Sequence, residues 1–149
     1  MQLQSEVNPA LNTVTAYGQD YIEINKVSYN HAVYFSPEGE VHAWDIQRVD
    51  QITSASLRTV AGLNDLKADP MAFLNDQPVL QKPIDAPEVI LVGTGDRQHL
   101  LPPDITRPLL QLQIGIEAMS TQAAARTYNI LMAEGRRVVV ALLPPKEIS

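Results

Sequence analysis

Apolar and polar positions change rhythm twice along this chain, and each change marks a different kind of element. Between Leu11 and Ile46 the rhythm is short. Tyr21-Ile22-Glu23-Ile24 alternates polar and apolar, the period-two pattern of a half-buried strand. His31 to Phe35 and Glu40 to Trp44 flank Ser36-Pro37-Glu38-Gly39. Proline second and glycine fourth suit a tight turn, so the two segments predict a hairpin. In it Val41 and Ala43 share one face, and His42 and Trp44 the other. From Asp50 to Pro87 no period persists, and the segment reads as irregular. Within it, Asp69-Pro70 followed by MAFLND predicts a short helix, with aspartate as cap and proline at the first helical position. The proline-rich run from Gln77 to Pro87 reads as an extended connector.

From Glu88 onward the texture is that of a buried sheet crossed by helices. Val89-Ile90-Leu91-Val92 is continuously apolar, as a strand covered on both faces must be. Gly93-Thr94-Gly95 ends it. Residues 104–113 read as a helix capped by Asp104 or Thr106, with Pro108 in its first turn and Gly115 as its stop. Ile116 to Met119 is then a short strand. Ser120 caps a helix from Thr121 to Glu134, and Gly135 terminates it. Val138 to Leu143 is the last strand, closed by Pro144-Pro145. Strand–helix–strand–helix–strand implies right-handed crossovers and a parallel three-stranded core, with the N-terminal β element packed nearby.

Composition narrows the class. A chain of 149 residues, 45% apolar and 19% charged, suits a single domain over residues 1–149: a β-rich part at 11–46, an irregular middle at 50–87 and an α/β core at 88–145. The longest strictly apolar run, Val138 to Leu143, falls far below the ~20 residues that cross a bilayer. The start, MQLQSEVNP, has no basic residue, and no apolar run follows, so neither membrane insertion nor a secretory signal is expected. A net charge of −6 argues against nucleic-acid binding, which needs a concentrated basic surface. The absence of cysteine excludes disulfides and thiol catalysis. The expectation is a cytoplasmic protein, monomeric or weakly homo-oligomeric.

The candidate chemistry is sparse. A dinucleotide fingerprint would need a third glycine where Gln98 stands, and a P-loop would need a glycine-lysine pair. Gly93-Thr94-Gly95 is therefore either a turn forced by backbone geometry or part of a ligand rim. Ser120 and Thr121 open a helix whose free N–H groups could hold an anion, or they are a plain cap. Gly93 and Met119 both lie at carboxyl strand ends, where open α/β sheets bind ligands. The candidate ligand rim is thus Gly93, Thr94, Gly95, Arg97, Ser120 and Thr121, with Asp96 beside it. Glu134-Gly135-Arg136 must sit at the opposite edge of the sheet.

On the helix from Thr121, Gln122, Arg126, Asn129 and Ala133 trace one polar face. Ala124, Tyr128 and Leu131, joined by Ala123 and Ile130, should face the sheet. Such a stripe is either a solvated face or a partner surface. Asn129, a poor helix former in mid-helix, points to a specific hydrogen bond or a partner contact. Gln122, Arg126 and Asn129 are accordingly the candidate partner-binding residues. His31, His42 and His99 are scattered, so no metal site or cofactor is expected. No acid/base pair, nucleophile motif or other catalytic set stands out among Asp85, Glu88, Asp96 and Glu117. Trp44 reads as core or sheet cover rather than a ligand platform.

Four segments carry a resemblance: Val92-Gly93-Thr94-Gly95, Gly115-Ile116-Glu117-Ala118-Met119, Ala125-Arg126-Thr127-Tyr128-Asn129 and Glu134-Gly135-Arg136. Together they resemble a family of small bacterial and archaeal proteins whose eukaryotic relatives include a mitochondrial assembly factor for respiratory complex I. The resemblance covers Glu88 to Pro144. It implies a three-layer α/β/α core with a mixed, largely parallel sheet and an added N-terminal antiparallel β element, and no established enzyme activity. The functional expectation is a non-enzymatic, assembly-factor-like module with a protein partner. The rival is a small-molecule binder or enzyme that takes an anionic ligand at the rim.

Overall fold

The computed structural model describes residues 11–63 and 86–145. In chain order the elements are β1 (Val14–Tyr17), β2 (Ile22–Ile24), β3 (Val27–Tyr29), β4 (Val33–Phe35), β5 (His42–Ala43), α1 (Ser54–Val60), β6 (Val89–Gly93), α2 (Pro103–Leu110), β7 (Gly115–Met119), α3 (Thr121–Ala133) and β8 (Val138–Leu142). The helix expected at Asp69-Pro70 and most of the connector from Gln77 lie outside the described residues.

Five strands form the central sheet in the order β5-β4-β8-β6-β7. The three strands expected in the C-terminal half are its parallel part, with β6 between β8 and β7. The hairpin of β4 and β5 joins this sheet antiparallel to β8. β1, β2 and β3 make a separate antiparallel sheet.

Period-two geometry sorts each central strand between two cores. Ile90, Val92, Val139 and Ala141 face one side, where they meet Leu57 and Val60 of α1, Leu109 of α2, and Trp44. Val89, Leu91, Val138, Val140 and Leu142 face the other, against Ala124, Ala125 and Tyr128 of α3 and Ile22 and Ile24 of β2. The layers are therefore α1 with α2, the mixed sheet, and α3 with the small sheet.

Several boundaries differ from the sequence expectation. A helix, α1, occupies part of the segment read as irregular. Its signal is a capping box: Thr53 accepts from Ser56 N–H and the Ser56 hydroxyl accepts from Thr53 N–H. α2 begins at Pro103, with neither Asp104 nor Thr106 as its cap. Proline's fixed φ suits the first helical position without a side-chain cap. The earlier start moves Pro108 beyond the first turn. The reversal after α2 is made by Gln113, at φ 64°, and Gly115 opens β7 instead. Ile130 is 59% exposed and does not face the sheet.

Candidate functional site

The carboxyl ends of β6 and β7 lie side by side, with Gly93 in register with Met119. They bring Gly93, Thr94, Gly95 and Thr121 together in one buried bracket. Thr94 N–H donates to Met119 O at 2.8 Å. The Thr94 hydroxyl lies 2.6 Å from Arg97 O and 3.0 Å from Met119 O, and accepts from His99 N–H. The Thr121 hydroxyl donates to Leu143 O at 2.6 Å and accepts from Gly95 N–H at 2.9 Å. Thr121 N–H in turn donates to Gly95 O. Four segments are thus laced at one point: the ends of β6, β7 and β8, and the start of α3.

This lacing decides what the rim can offer. The two threonine side chains are buried, and their hydroxyls are committed to backbone partners. Ser120 is a working N-cap, accepting from Ala123 N–H at 3.2 Å. Arg97, Asp96 and His99 are exposed on the loop that leaves the bracket. Of the six rim residues, only Arg97 turns a charged group toward solvent.

The second candidate set divides differently. Gln122 and Arg126 are exposed on α3. Asn129 is turned toward β1, where its amide oxygen accepts from Val14 N–H at 3.0 Å and its amide nitrogen donates to Val14 O at 2.9 Å. One side chain therefore makes both bonds that a neighbouring strand would make at Val14. Tyr128 acts one residue earlier. Its hydroxyl donates to Asn12 O at 2.7 Å, and its ring packs edge-on against Phe35 at 5.0 Å. Burial pushes its hydroxyl pKa well above the usual tyrosine value. The outward stripe of α3 is Gln122, Arg126 and Ile130. The apolar member, Ile130, stands four residues after Arg126 on the same face, and the polar reading of the stripe passed it over.

The opposite end of the sheet holds the charged group that sequence spacing placed apart from the rim. The Glu88 carboxylate accepts from Arg137 N–H at 3.0 Å and pairs with the Arg136 guanidinium at 3.3 Å. The Arg137 N–H, and then the two guanidinium charges, hold Glu88 below the usual carboxylate range. A cleft of about 770 Å³ opens here, walled by Tyr34, His42, Glu38, Glu40, Arg136 and Arg137 among others. The Tyr34 and His42 rings stack across the hairpin at 5.0 Å. Among the described residues no group of three or more His, Asp or Glu is placed to hold a metal ion. No helix among them is long and apolar enough to cross a membrane.

Comparison with known proteins agrees with this architecture. The solution structure of a Bordetella pertussis protein, a Mth938-like domain, is 58% identical and superposes with a TM-score of 0.78, over 99% of this chain and 94% of that one. An uncharacterised protein of Rhodobacter capsulatus is 39% identical over 77 residues, which are 52% of this chain and 62% of the relative. The bovine NADH dehydrogenase [ubiquinone] 1 alpha subcomplex assembly factor 3 is 43% identical over 58 residues, 39% of this chain. The match spans about a third, 32%, of the bovine protein's length. A family model matches residues 14–143, from β1 to the end of β8. The chain belongs to that family, described as protein of unknown function DUF498/DUF598.

Proposed function

We propose that this protein is a non-enzymatic, assembly-factor-like module that binds another protein through the outward stripe of α3. The observation that carries the reading is the contrast between its two candidate sites. The rim spends its buried hydroxyls on its own backbone, whereas α3 holds Gln122, Arg126 and the 59%-exposed Ile130 out to solvent. Arginine is among the residues enriched at protein contacts, and Ile130 adds exposed apolar area on the same face. The similarity to complex I assembly factors supports the same class and suggests a subunit of a membrane complex, or a second assembly protein, as the partner. In this reading the protein works in the cytoplasm, as a monomer or weak homo-oligomer, with no nucleic acid and no cofactor.

Site-directed photo-crosslinking in the native cells tests it. A photoreactive residue at Arg126 should give one discrete adduct that is absent when the probe stands at Gln111, beyond α2 on the other layer. Arg126→Glu combined with Ile130→Asp should abolish capture while leaving the circular dichroism spectrum unchanged. Identical adducts from both positions, or capture that survives the double substitution, would sink the reading.

A second reading rests on one side chain, Arg97, exposed at the helix end of the rim. Thermal-shift screening against nucleotides, phosphates and organic acids tests it. A true ligand at ~100 times its Kd adds ~2.7 kcal/mol, and Arg97→Ala should remove the shift.

A further inference from the structure

We infer that the free edge of β7 is a second docking surface, one that takes an extended segment of a partner protein carrying a basic side chain. The inference rests on the protein-binding reading and names the chemistry of the partner. Gly115 N–H donates to Glu88 O at 2.9 Å, and Met119 O accepts from Thr94 N–H at 2.8 Å. Backbone groups alternate along a parallel ladder, so Gly115, Glu117 and Met119 turn theirs inward to β6. Ile116 and Ala118 turn theirs outward. Gln98 supplies the check: its side-chain amide donates to Ala118 O at 2.9 Å from outside the sheet. The Ile116 N–H, the Ile116 carbonyl and the Ala118 N–H remain along the edge, with no partner among the described residues. Such a row is a template for an added strand.

The described residues include four strongly exposed large apolar side chains: Val27, Leu100, Leu110 and Ile130. Two of them belong to helices that pack on β7, Leu110 to α2 and Ile130 to α3. Leu100, 80% exposed, follows Gln98 by two residues.

The charge on the edge selects the occupant. Glu117 is exposed at the middle of β7. In the register that uses the outward groups of both Ile116 and Ala118, a second copy of this chain would set Glu117 opposite Glu117, and like charges directly opposite are destabilising. A partner strand with lysine or arginine at that position converts the repulsion into a favourable cross-strand pair.

Peptide titration followed by backbone amide NMR tests the edge without reference to α3. The probe is a blocked peptide, Thr-Val-Lys-Val-Thr. It should shift the Ile116 and Ala118 amides and slow their exchange. The analogue with glutamate in place of lysine should bind roughly fivefold more weakly, the upper range for one cross-strand charge pair. N-methylation along the pairing side should abolish binding. Ala118→Pro removes an outward N–H and should also abolish it. Glu117→Lys keeps the backbone and should reverse the preference between the two peptides. Absence of any change at Ile116 and Ala118 overturns the inference, as does an unreversed preference in Glu117→Lys. Protection of these amides by self-association without peptide also overturns it, because the occupant is then a second copy. The cross-link from Arg126 reads the α3 surface alone, so each reading fails separately.

Discussion

At the scale of single residues, the two glycines that matter most do opposite jobs. A Cβ on Gly93 would lie 2.9 Å from Thr121 Cα and 2.7 Å from Leu142 Cδ2. The glycine is there because the start of α3 presses on the end of β6. Gly135 has nothing within 4 Å of that position, but its φ is +79°, a left-handed conformation that only glycine adopts cheaply. Gly135→Ala should therefore cost about 1 kcal/mol through backbone strain alone. Gly93→Ala must move a helix or a strand, and should cost roughly 1–3 kcal/mol. Urea denaturation of both variants checks the order, and a Gly93→Ala protein more stable than Gly135→Ala would contradict this account of the bracket. Sequence gave the glycine-threonine-glycine pattern but left its purpose open between turn and ligand loop. What separates the two is the position of Thr121, 26 residues away along the chain.

At the scale of elements, α3 does more than cover the sheet. Ala124 and Ala125 let it approach closely, Tyr128 fills the core, and Asn129 fastens β1 by its two bonds to Val14. The small sheet holds to the molecule through these contacts, the bond from Tyr128 to Asn12, the bonds from Asn12 to the turn after β4, and the burial of Ile22 and Ile24. Asn129→Ala leaves a half-buried N–H and carbonyl without their partner, at a cost of ~1–3 kcal/mol. Its effect should be local. Hydrogen exchange should accelerate in β1, β2 and β3, while amides of β6 and β8 keep their protection until global unfolding. Equal acceleration in both sheets would show that the small sheet has no separate stability. The unfavourable placing of asparagine in mid-helix was legible as a signal. Its target, Val14, is 115 residues away, beyond any helical period.

At the scale of the whole molecule, the sheet has two chemically different ends. One is laced by neutral hydrogen bonds from the buried Thr94 and Thr121. The other carries Glu88, Arg136 and Arg137 beside an open cleft. The charged end makes stability depend on pH. The Glu88 pKa is lowered from 4.5 in the folded protein, so its stabilisation is complete above that value and is lost as pH falls through the folded pKa. Stability should decline only as pH falls below the unfolded value of 4.5, and Glu88→Gln should flatten part of that decline. An identical pH profile in the variant would remove Glu88 from the account.

The sequence by itself determined the parallel core. Unbroken apolar runs at Val89 and Val138 can be buried only between two layers, the short strand at Ile116 follows a helix and precedes a capped one, and a serine cap and a glycine stop bound α3 locally. It determined the β4–β5 hairpin by the same local means, proline and glycine at fixed turn positions. It also put Glu134-Gly135-Arg136 and the rim at opposite ends, because a crossover helix must run back along the sheet. Only the tertiary structure decided which polar groups are free. Thr94, Thr121 and Asn129 look alike as candidate binding residues in sequence, and each is spent on a carbonyl or N–H brought near by the fold. Among the described residues, Ile130 and the edge of β7 are left uncovered for the converse reason. Burial and hydrogen-bond satisfaction are set by neighbours distant along the chain, and a periodic pattern records only which face a residue occupies.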